Sequence, residues 1–267
     1  EVIQHYMEKS LAQVHANTKA KRVLSIAMDP KTGDVLAMAM TPEYDPNNPR
    51  VPLDEAEATK VEAMSDQDKV TYWNEMWRNP MVNDTYEPGS TFKLITTASA
   101  LEEGVTRPSE TFTCTGYYKV GDRQLKCWRY YNPHGTETLA QAVQNSCNPV
   151  FIQLAQRMGK TTFYEYLERF GITEKTGIDY PGEGGNLLQD QSVVGPVELA
   201  TISYGQGIAV TPISMITAVC SLGNDGMLMQ PRLVKALVDE DGNTVQEFAP
   251  QQVRQVVSKQ TADEMCL

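Results

Sequence analysis

Apolar and polar positions along this chain change their period several times. Val2, Ile3, Tyr6, Met7, Leu11 and Val14 recur at helical spacing, which predicts an amphipathic helix at the start. Two strand-like apolar runs follow, Arg22 to Met28 and Asp34 to Met40. The turn Asp29-Pro30-Lys31-Thr32-Gly33 joins them into a hairpin. Thr41 to Pro52 carries four prolines and two adjacent asparagines, so it is irregular. Leu53 to Trp77 is charged and helical in pattern, with an internal helix start at Ser65-Asp66-Gln67-Asp68.

Pro88-Gly89 breaks the pattern, and a helix is predicted from Ser90 to about Glu103, closed by Gly104. Thr111 to Cys127 alternates around Gly116 and Gly121, as a short hairpin would. Thr138 to Asn145 and Pro149 to Met158 read as helices interrupted at Ser146-Cys147-Asn148, and Thr161 to Phe170 as another, stopped by Gly171. Pro196 to Tyr204 and Pro212 to Leu222 are also helical. The tail from Met229 mixes a strand, an Asp241-Gly242-Asn243 turn and a last helix. A hairpin followed by a long helical middle, without a parallel βαβ repeat, predicts an α/β chain of the α+β type.

Composition narrows this picture. A chain of 267 residues with 41% hydrophobic content can bury one large core or two closely joined ones. The net charge is −11 with no basic run, which argues against a nucleic-acid partner, because phosphate contacts need clustered Lys and Arg. No apolar run approaches the roughly 20 residues that span a bilayer. The chain opens at Glu1 without a signal-like segment, so it reads as a soluble piece whose membrane anchor lies outside it. Five widely spaced cysteines do not suit a small disulfide scaffold.

The sharpest chemical signal is Glu87-Pro88-Gly89-Ser90-Thr91-Phe92-Lys93. At i,i+3 on one helical face, the Lys93 amine lies close enough to take the proton of the Ser90 hydroxyl, a weak nucleophile without that help. The helix N-terminus adds partial positive charge and free N–H groups for a developing oxyanion. By itself an S-x-x-K is equally an N-cap beside a surface lysine. Ser146-Cys147-Asn148 at a helix break can aim a hydroxyl and an amide into a cleft, Ser146 to relay a leaving-group proton and Asn148 to hold Lys93 or a substrate amide. Alone it is equally a cap, with Pro149 at the first helical position.

Order and surroundings favour the chemistry. S-x-x-K, S-D-N and K-T-G mark penicillin-binding proteins and serine β-lactamases, and the chain carries the first two in order, with Cys147 in the middle of the second. Together with Met28 to Ala39, Ser203-Tyr204-Gly205-Gln206-Gly207 and Val210-Thr211-Pro212, these strings resemble class B penicillin-binding proteins of the sporulation or division type. The resemblance covers nearly the whole chain. It implies a transpeptidase fold, an antiparallel sheet plus a helical lobe that carries Ser90 and Ser146. It implies a D,D-transpeptidase that acylates Ser90 with a peptidoglycan stem peptide ending in D-Ala-D-Ala and passes the acyl group to a neighbouring amine. β-Lactams would acylate the same serine. The backbone N–H of Ser90 would form half of the oxyanion hole. It also implies the extracytoplasmic face of a bacterial membrane, a glycosyltransferase partner, and a role in elongation, division or sporulation that stays open.

On this reading residues 1–52 form the first helix and sheet hairpin, 53–228 the helical lobe, and 229–267 the start of the return to the sheet. Lys175-Thr176-Gly177 is not assigned to the active site, because its surroundings resemble a structural loop of the family and lack strand character. The catalytic K-T-G strand is therefore expected beyond Leu267, and residues 1–267 alone are expected to acylate poorly.

Cys114, Cys127 and His134, spaced C-x12-C-x6-H, suit tetrahedral Zn²⁺ with a fourth ligand from elsewhere, such as Asp84 or Asp122. A Cys114–Cys127 disulfide and two buried inert thiols are the other readings, and the nearby His134 favours zinc over both. Acyl transfer itself requires no cofactor. Cys147 reads as a packed small side chain or a point of oxidant sensitivity. Two rival functions remain: a carboxypeptidase or β-lactamase, and a β-lactam sensor or non-catalytic scaffold. The first needs a positioned base for water and finds no clear carboxylate, since Glu87 is close in sequence but precedes a turn where it caps or pairs. Intact Ser90, Lys93, Ser146 and Asn148 argue against the scaffold.

Overall fold

A computed structural model describes residues 1–266. Helix α1 (Val2–Thr18) ends where Lys19 turns left-handed, at φ 56°, and returns its N–H to His15 O. Strands β1 (Val23–Met28) and β2 (Val35–Thr41) pair antiparallel, Ile26 opposite Met38. Gln4 of α1 acts as an extra strand residue: Nε2 donates to Met38 O at 3.1 Å and Oε1 accepts from Met38 N at 2.9 Å, which covers that part of the β2 edge. Gly33 in the hairpin turn takes φ 77°, and a Cβ there would lie 2.3 Å from Gln230 O, so only glycine fits.

The charged stretch after the proline-rich loop divides where Ser65 caps a second helix, giving α2 (Glu55–Glu62) and α3 (Asp66–Trp77). A short α4 (Pro80–Asn83), missed by periodicity because it is one turn long, follows. A 3-10 turn at Gly89–Phe92 leads into α5 (Lys93–Glu102). The expected single hairpin between Thr111 and Cys127 is a correction. Strand β3 (Thr111–Cys114) pairs with the distant β6 (Gly135–Thr138), and only β4 (Tyr117–Val120) and β5 (Arg123–Lys126) form the hairpin. Gly116, at φ 90° with a virtual Cβ 2.8 Å from Tyr130 O, turns the chain out of β3.

Helix α6 (Leu139–Gln144) begins on a capping box of Thr138 and Gln141. The two helices predicted between Pro149 and Phe170 run end to end as α7 (Asn148–Arg169), divided at Gly159, whose φ 75° and ψ 164° are not helical. Helices α8 (Pro196–Ile202) and α9 (Pro212–Leu222) follow. The tail holds β7 (Met227–Met229), then β8 (Ala236–Val238) and β9 (Thr244–Glu247) as a hairpin, β10 (Gln252–Gln255) against β7, and α10 (Lys259–Met265). Glu102 at the end of α5 accepts from Ser258 N, Ser258 Oγ and Thr261 Oγ1, tying α10 to the helix of the candidate nucleophile.

The main core lies in the helical lobe, where Phe92, Ile95, Phe151, Ile152, Leu154, Phe163 and Leu167 are almost fully buried. Each such side chain contributes roughly 1.5–3 kcal/mol by leaving water. A smaller cluster of Val82, Ile178 and Ile213 packs Ile26, Met28, Val35 and Met38 of the hairpin against the lobe. The architecture is thus antiparallel strand pairs beside a helical lobe, as the pattern predicts.

Candidate active site

The Ser90 turn is positioned from three sides. Gly89 donates its N–H to Gly205 O at 3.0 Å, Tyr86 exchanges backbone hydrogen bonds with Val210, and Glu87 Oε1 accepts from Gly207 N at 2.9 Å. Glu87 is therefore a clasp between two loops. Glu87→Gln should cost about 1 kcal/mol, because the amide oxygen still accepts but without charge. A melting temperature within error of wild type would refute the clasp.

In a 3-10 turn the side chains at i and i+3 eclipse, and this places Lys93 Nζ 3.2 Å from Ser90 Oγ. The sequence predicted a regular helix from Ser90, and the tighter first turn brings the pair closer together. Lys93 Nζ also donates to Ser146 O at 2.9 Å and Asn148 Oδ1 at 2.7 Å, and lies 2.7 Å from Ser146 Oγ. Ser146 Oγ in turn reaches Ser90 Oγ at 2.8 Å. Ser146 holds φ 54°, a left-handed conformation rare for serine, between the end of α6 and the start of α7. The four residues singled out in the sequence thus meet in one hydrogen-bonded cluster.

Lys93 is 2% exposed. Burial pushes its ammonium down to about 8, although the nearby Cys147 and Cys127 thiols work in the opposite direction. The Phe151 ring lies under Nζ at 5.0 Å, a support that hydrophobic periodicity does not signal. With Ser146 O and Asn148 Oδ1 taking two protons, a neutral amine keeps its lone pair for the hydroxyl cluster. That is a base–nucleophile pair with an adjoining hydroxyl relay. An open apolar groove of about 300 Å³ lies between Ile26 of β1, Thr91 and Leu94 at the start of the nucleophile helix, and Met215 and Ile216 of α9, and none of the four clustered residues lines it.

Lys175-Thr176-Gly177 lies outside every strand. Glu183 Oε1 accepts from Thr176 N and Oγ1 at 2.6 and 2.7 Å, and Gly177 N donates to Glu183 Oε2 at 3.1 Å, so the tripeptide is a capped turn.

Cys114, Cys127 and His134 come together as the spacing suggested, and the fourth member is Cys147. One ligand atom from each lies within 4.8 Å of all the others. Neither Asp84 nor Asp122 belongs to this group: Asp84 pairs with Arg78, and Asp122 lies in the β4–β5 turn. Cysteines 114, 127, 147, 220 and 266 carry free thiols. Burial pushes the Cys127 and Cys147 thiols upward. Trp128, half exposed, donates from Nε1 to Asn145 O at 3.0 Å and sets its ring edge-on to His134, so it spans the cluster and the Ser146 loop.

The family model for the penicillin binding protein transpeptidase domain matches residues 23–266. The chain is similar to stage V sporulation protein D of Bacillus subtilis, 38% identical over 98% of this chain and 38% of that protein. It is also similar to the peptidoglycan D,D-transpeptidase PbpA of Mycolicibacterium smegmatis, 32% identical over 89% of this chain and 48% of that protein. Among solved structures it resembles penicillin-binding protein 3 of Mycobacterium tuberculosis in complex with aztreonam. The TM-score is 0.81 at 28% identity, over 98% of this chain and 54% of that one. The chain spans about two fifths to one half of the length of these curated relatives.

Proposed function

This chain belongs to the penicillin-binding protein transpeptidase family, in its class B branch, and from that premise we propose that it carries out peptidoglycan D,D-transpeptidation through Ser90. The observation that carries the reading is the buried Lys93 amine, held among Ser90, Ser146 and Asn148 and lowered to about 8. Neutral Lys93 takes the proton of Ser90 Oγ as that oxygen bonds to the carbonyl carbon of the donor stem peptide's penultimate D-Ala. The C–N bond to the terminal D-Ala then breaks as Ser146 passes its proton to the departing amine and takes one back from protonated Lys93, which becomes neutral again. An amine of a neighbouring stem peptide attacks the ester carbon and gives up a proton to Lys93, which returns it to Ser90 Oγ as that oxygen leaves, and the cross-link forms. Asn148 holds Lys93 in place throughout. A β-lactam enters at the first step, and its ring amide is the bond that breaks.

Acyl transfer of this kind needs no cofactor. The thiol and imidazole group around Cys127 suits a structural Zn²⁺. Transpeptidase domains of this family are extracytoplasmic, and no helix among the described residues is long and apolar enough to cross a membrane. Stem peptides and β-lactams are the ligands this reading assigns, with a glycosyltransferase as the partner that supplies glycan strands.

The test is intact mass of the full-length protein after exposure to a penicillin. One covalent adduct is expected, lost in Ser90→Ala. Persistence of that adduct in Ser90→Ala, or no adduct on the full-length protein, would overturn the assignment.

A further inference from the structure

The surface next to the reacting loop differs in character from the rest of the chain. Residues 117–131 hold four basic side chains against one acidic one, Asp122, in a chain whose net charge is −11. The pairing of β4 with β5 decides which of their side chains face out. Tyr117 lies opposite Lys126 and Lys119 opposite Gln124, so these four share one face of the hairpin. The alternate residues turn inward: Val120 is 1% exposed, and the Tyr118 hydroxyl donates to Gln156 Oε1 of α7 at 3.0 Å.

The outer face continues onto the loop after β5. Tyr130 packs against Tyr117 with ring centroids 5.9 Å apart, Tyr131 meets Tyr130 edge-on at 5.8 Å, and Lys126 Nζ lies 4.9 Å from the Tyr130 ring centre. The Tyr130 main chain sits directly on Gly116, where a Cβ would lie 2.8 Å from the Tyr130 carbonyl oxygen, so the loop is held close to the hairpin.

The fold itself does not satisfy this face. No carboxylate among the described residues lies within ion-pairing distance of Lys119 or Lys126, and Tyr131 is 72% exposed. Tyrosines exposed singly are ordinary, but an interlocked row beside unpaired ammonium groups suits a ligand with apolar ring faces and negative charge. The inner side of the same segment is bonded to the reacting loop: Asn148 Nδ2 donates to Lys126 O at 3.3 Å, and Trp128 Nε1 to Asn145 O at 3.0 Å. A ligand on the outer face therefore lies alongside Ser146 and Asn148.

We propose that this face binds the glycan strand that carries the stem peptide, beside the cluster where that peptide reacts. The assignment rests on the transpeptidase reading of Ser90. The rings of Tyr117, Tyr130 and Tyr131 pack against the C–H faces of the sugars. Lys119 and Lys126 pair with stem-peptide carboxylates, and Gln124 offers a donor and an acceptor to acetamido groups. A net charge of −11 repels an anionic polymer over the surface as a whole, so a local positive face sets where the polymer can approach. An anionic membrane is the other ligand that a basic, aromatic face could meet. The strand is favoured because Tyr117, Lys119, Gln124 and Lys126 include no aliphatic side chain to enter a bilayer, and because the face adjoins the loop where stem peptides react.

The experiment follows the fluorescence anisotropy of labelled, un-cross-linked glycan strands bearing stem peptides, titrated with the full-length protein. Tyr131→Ala should weaken binding about fivefold through loss of one aromatic contact. Lys119→Gln combined with Lys126→Gln should weaken it about tenfold at low salt, and the difference should shrink near 1 M salt, where screening acts within about 3 Å. Lys119→Glu should weaken it more than Lys119→Gln does. These side chains are on the surface, so melting temperatures should stay at the wild-type value and losses should report binding. Unchanged strand affinity when Tyr131→Ala, Lys119→Gln and Lys126→Gln are combined overturns the proposal. Loss of binding to phosphatidylglycerol vesicles with strand binding intact also overturns it, and makes the face a membrane contact. Equal losses of strand binding and of penicillin labelling overturn it as well, because the hairpin would then act only as a support for the Ser146 loop. Strand binding is read without chemistry, so a wild-type protein that binds strands but takes no penicillin would sink the Ser90 reading alone.

Discussion

Lys93→Ala is expected to slow acylation of Ser90 by about 10²–10⁴-fold, the range in which a positioned general base contributes. The variant loses the only amine near Ser90 Oγ among the described residues, while Ser146 Oγ stays hydrogen-bonded to the nucleophile. Lys93→Arg should fail to the same degree. A guanidinium stays protonated, and its planar fork does not fit a site built for a tetrahedral nitrogen. The wild-type rate should climb about tenfold per pH unit below about 8 and level off above it, following the fraction of neutral amine. Stability carries the same signature with a worked sign. Lys93 is lowered from 10.5 to about 8 by burial, so the unfolded chain holds the proton more tightly. The cost is fully present below about 8, is relieved as pH rises from there, and is absent above 10.5. Lys93→Met should therefore melt higher than wild type at pH 7, with the gain vanishing toward pH 10.5, and should remain inactive. Stopped-flow acylation and melting curves against pH decide it. A Lys93→Ala rate within a factor of a few of wild type would remove Lys93 from the base role.

The sequence revealed much of the reacting cluster and much less of what supports it. Ser90 and Lys93 were legible because their spacing is short and lies within one turn. Ser146 and Asn148 were legible because polar residues interrupt a helical pattern there. What brings the two pairs together is long-range packing of α5 on α7 around Phe151 and Ile95, and periodicity gives only that each helix has an apolar face. Phe151 under Lys93 Nζ therefore read as one core residue among many. The pairing of β3 with β6 was missed for a related reason. A local hairpin signal around Gly121 was real, yet Thr111 to Cys114 found its partner across an intervening hairpin and loop. In the sequence Cys147 reads as a packed small side chain or a point of oxidant sensitivity, because spacing alone ties only Cys114, Cys127 and His134 into one stretch. The fourth member arrives from the helix break, through the fold.

Gly205 shows how tightly the nucleophile turn depends on a distant loop. It takes φ 79°, and a Cβ built there would lie 2.1 Å from Gly89 O and 2.7 Å from Gly89 C and N. All three atoms are backbone, so no side chain can move aside. Gly205→Ala must either push the Gly89-Ser90 peptide away or flip the 205–207 loop, and the second choice would break Gly89 N–H to Gly205 O and the Glu87 clasp on Gly207. Left-handed strain adds about 1 kcal/mol. A backbone overlap of this depth belongs with the largest single-substitution effects, about 4 kcal/mol or more. At about 2–4 °C per kcal/mol for a chain somewhat shorter than this one, the melting temperature should fall by roughly 8–16 °C. Acylation should fall by more than the folded fraction does, because any shift of Gly89 moves Ser90 Oγ relative to Lys93 Nζ. Gly104→Ala is the control: it also has positive φ, at 65°, but its virtual Cβ meets nothing within 4 Å, so it should lose only the conformational strain. If the two variants lose equal stability and both acylate at the wild-type rate per folded molecule, contact between the 205–207 loop and the Ser90 turn does not position the nucleophile.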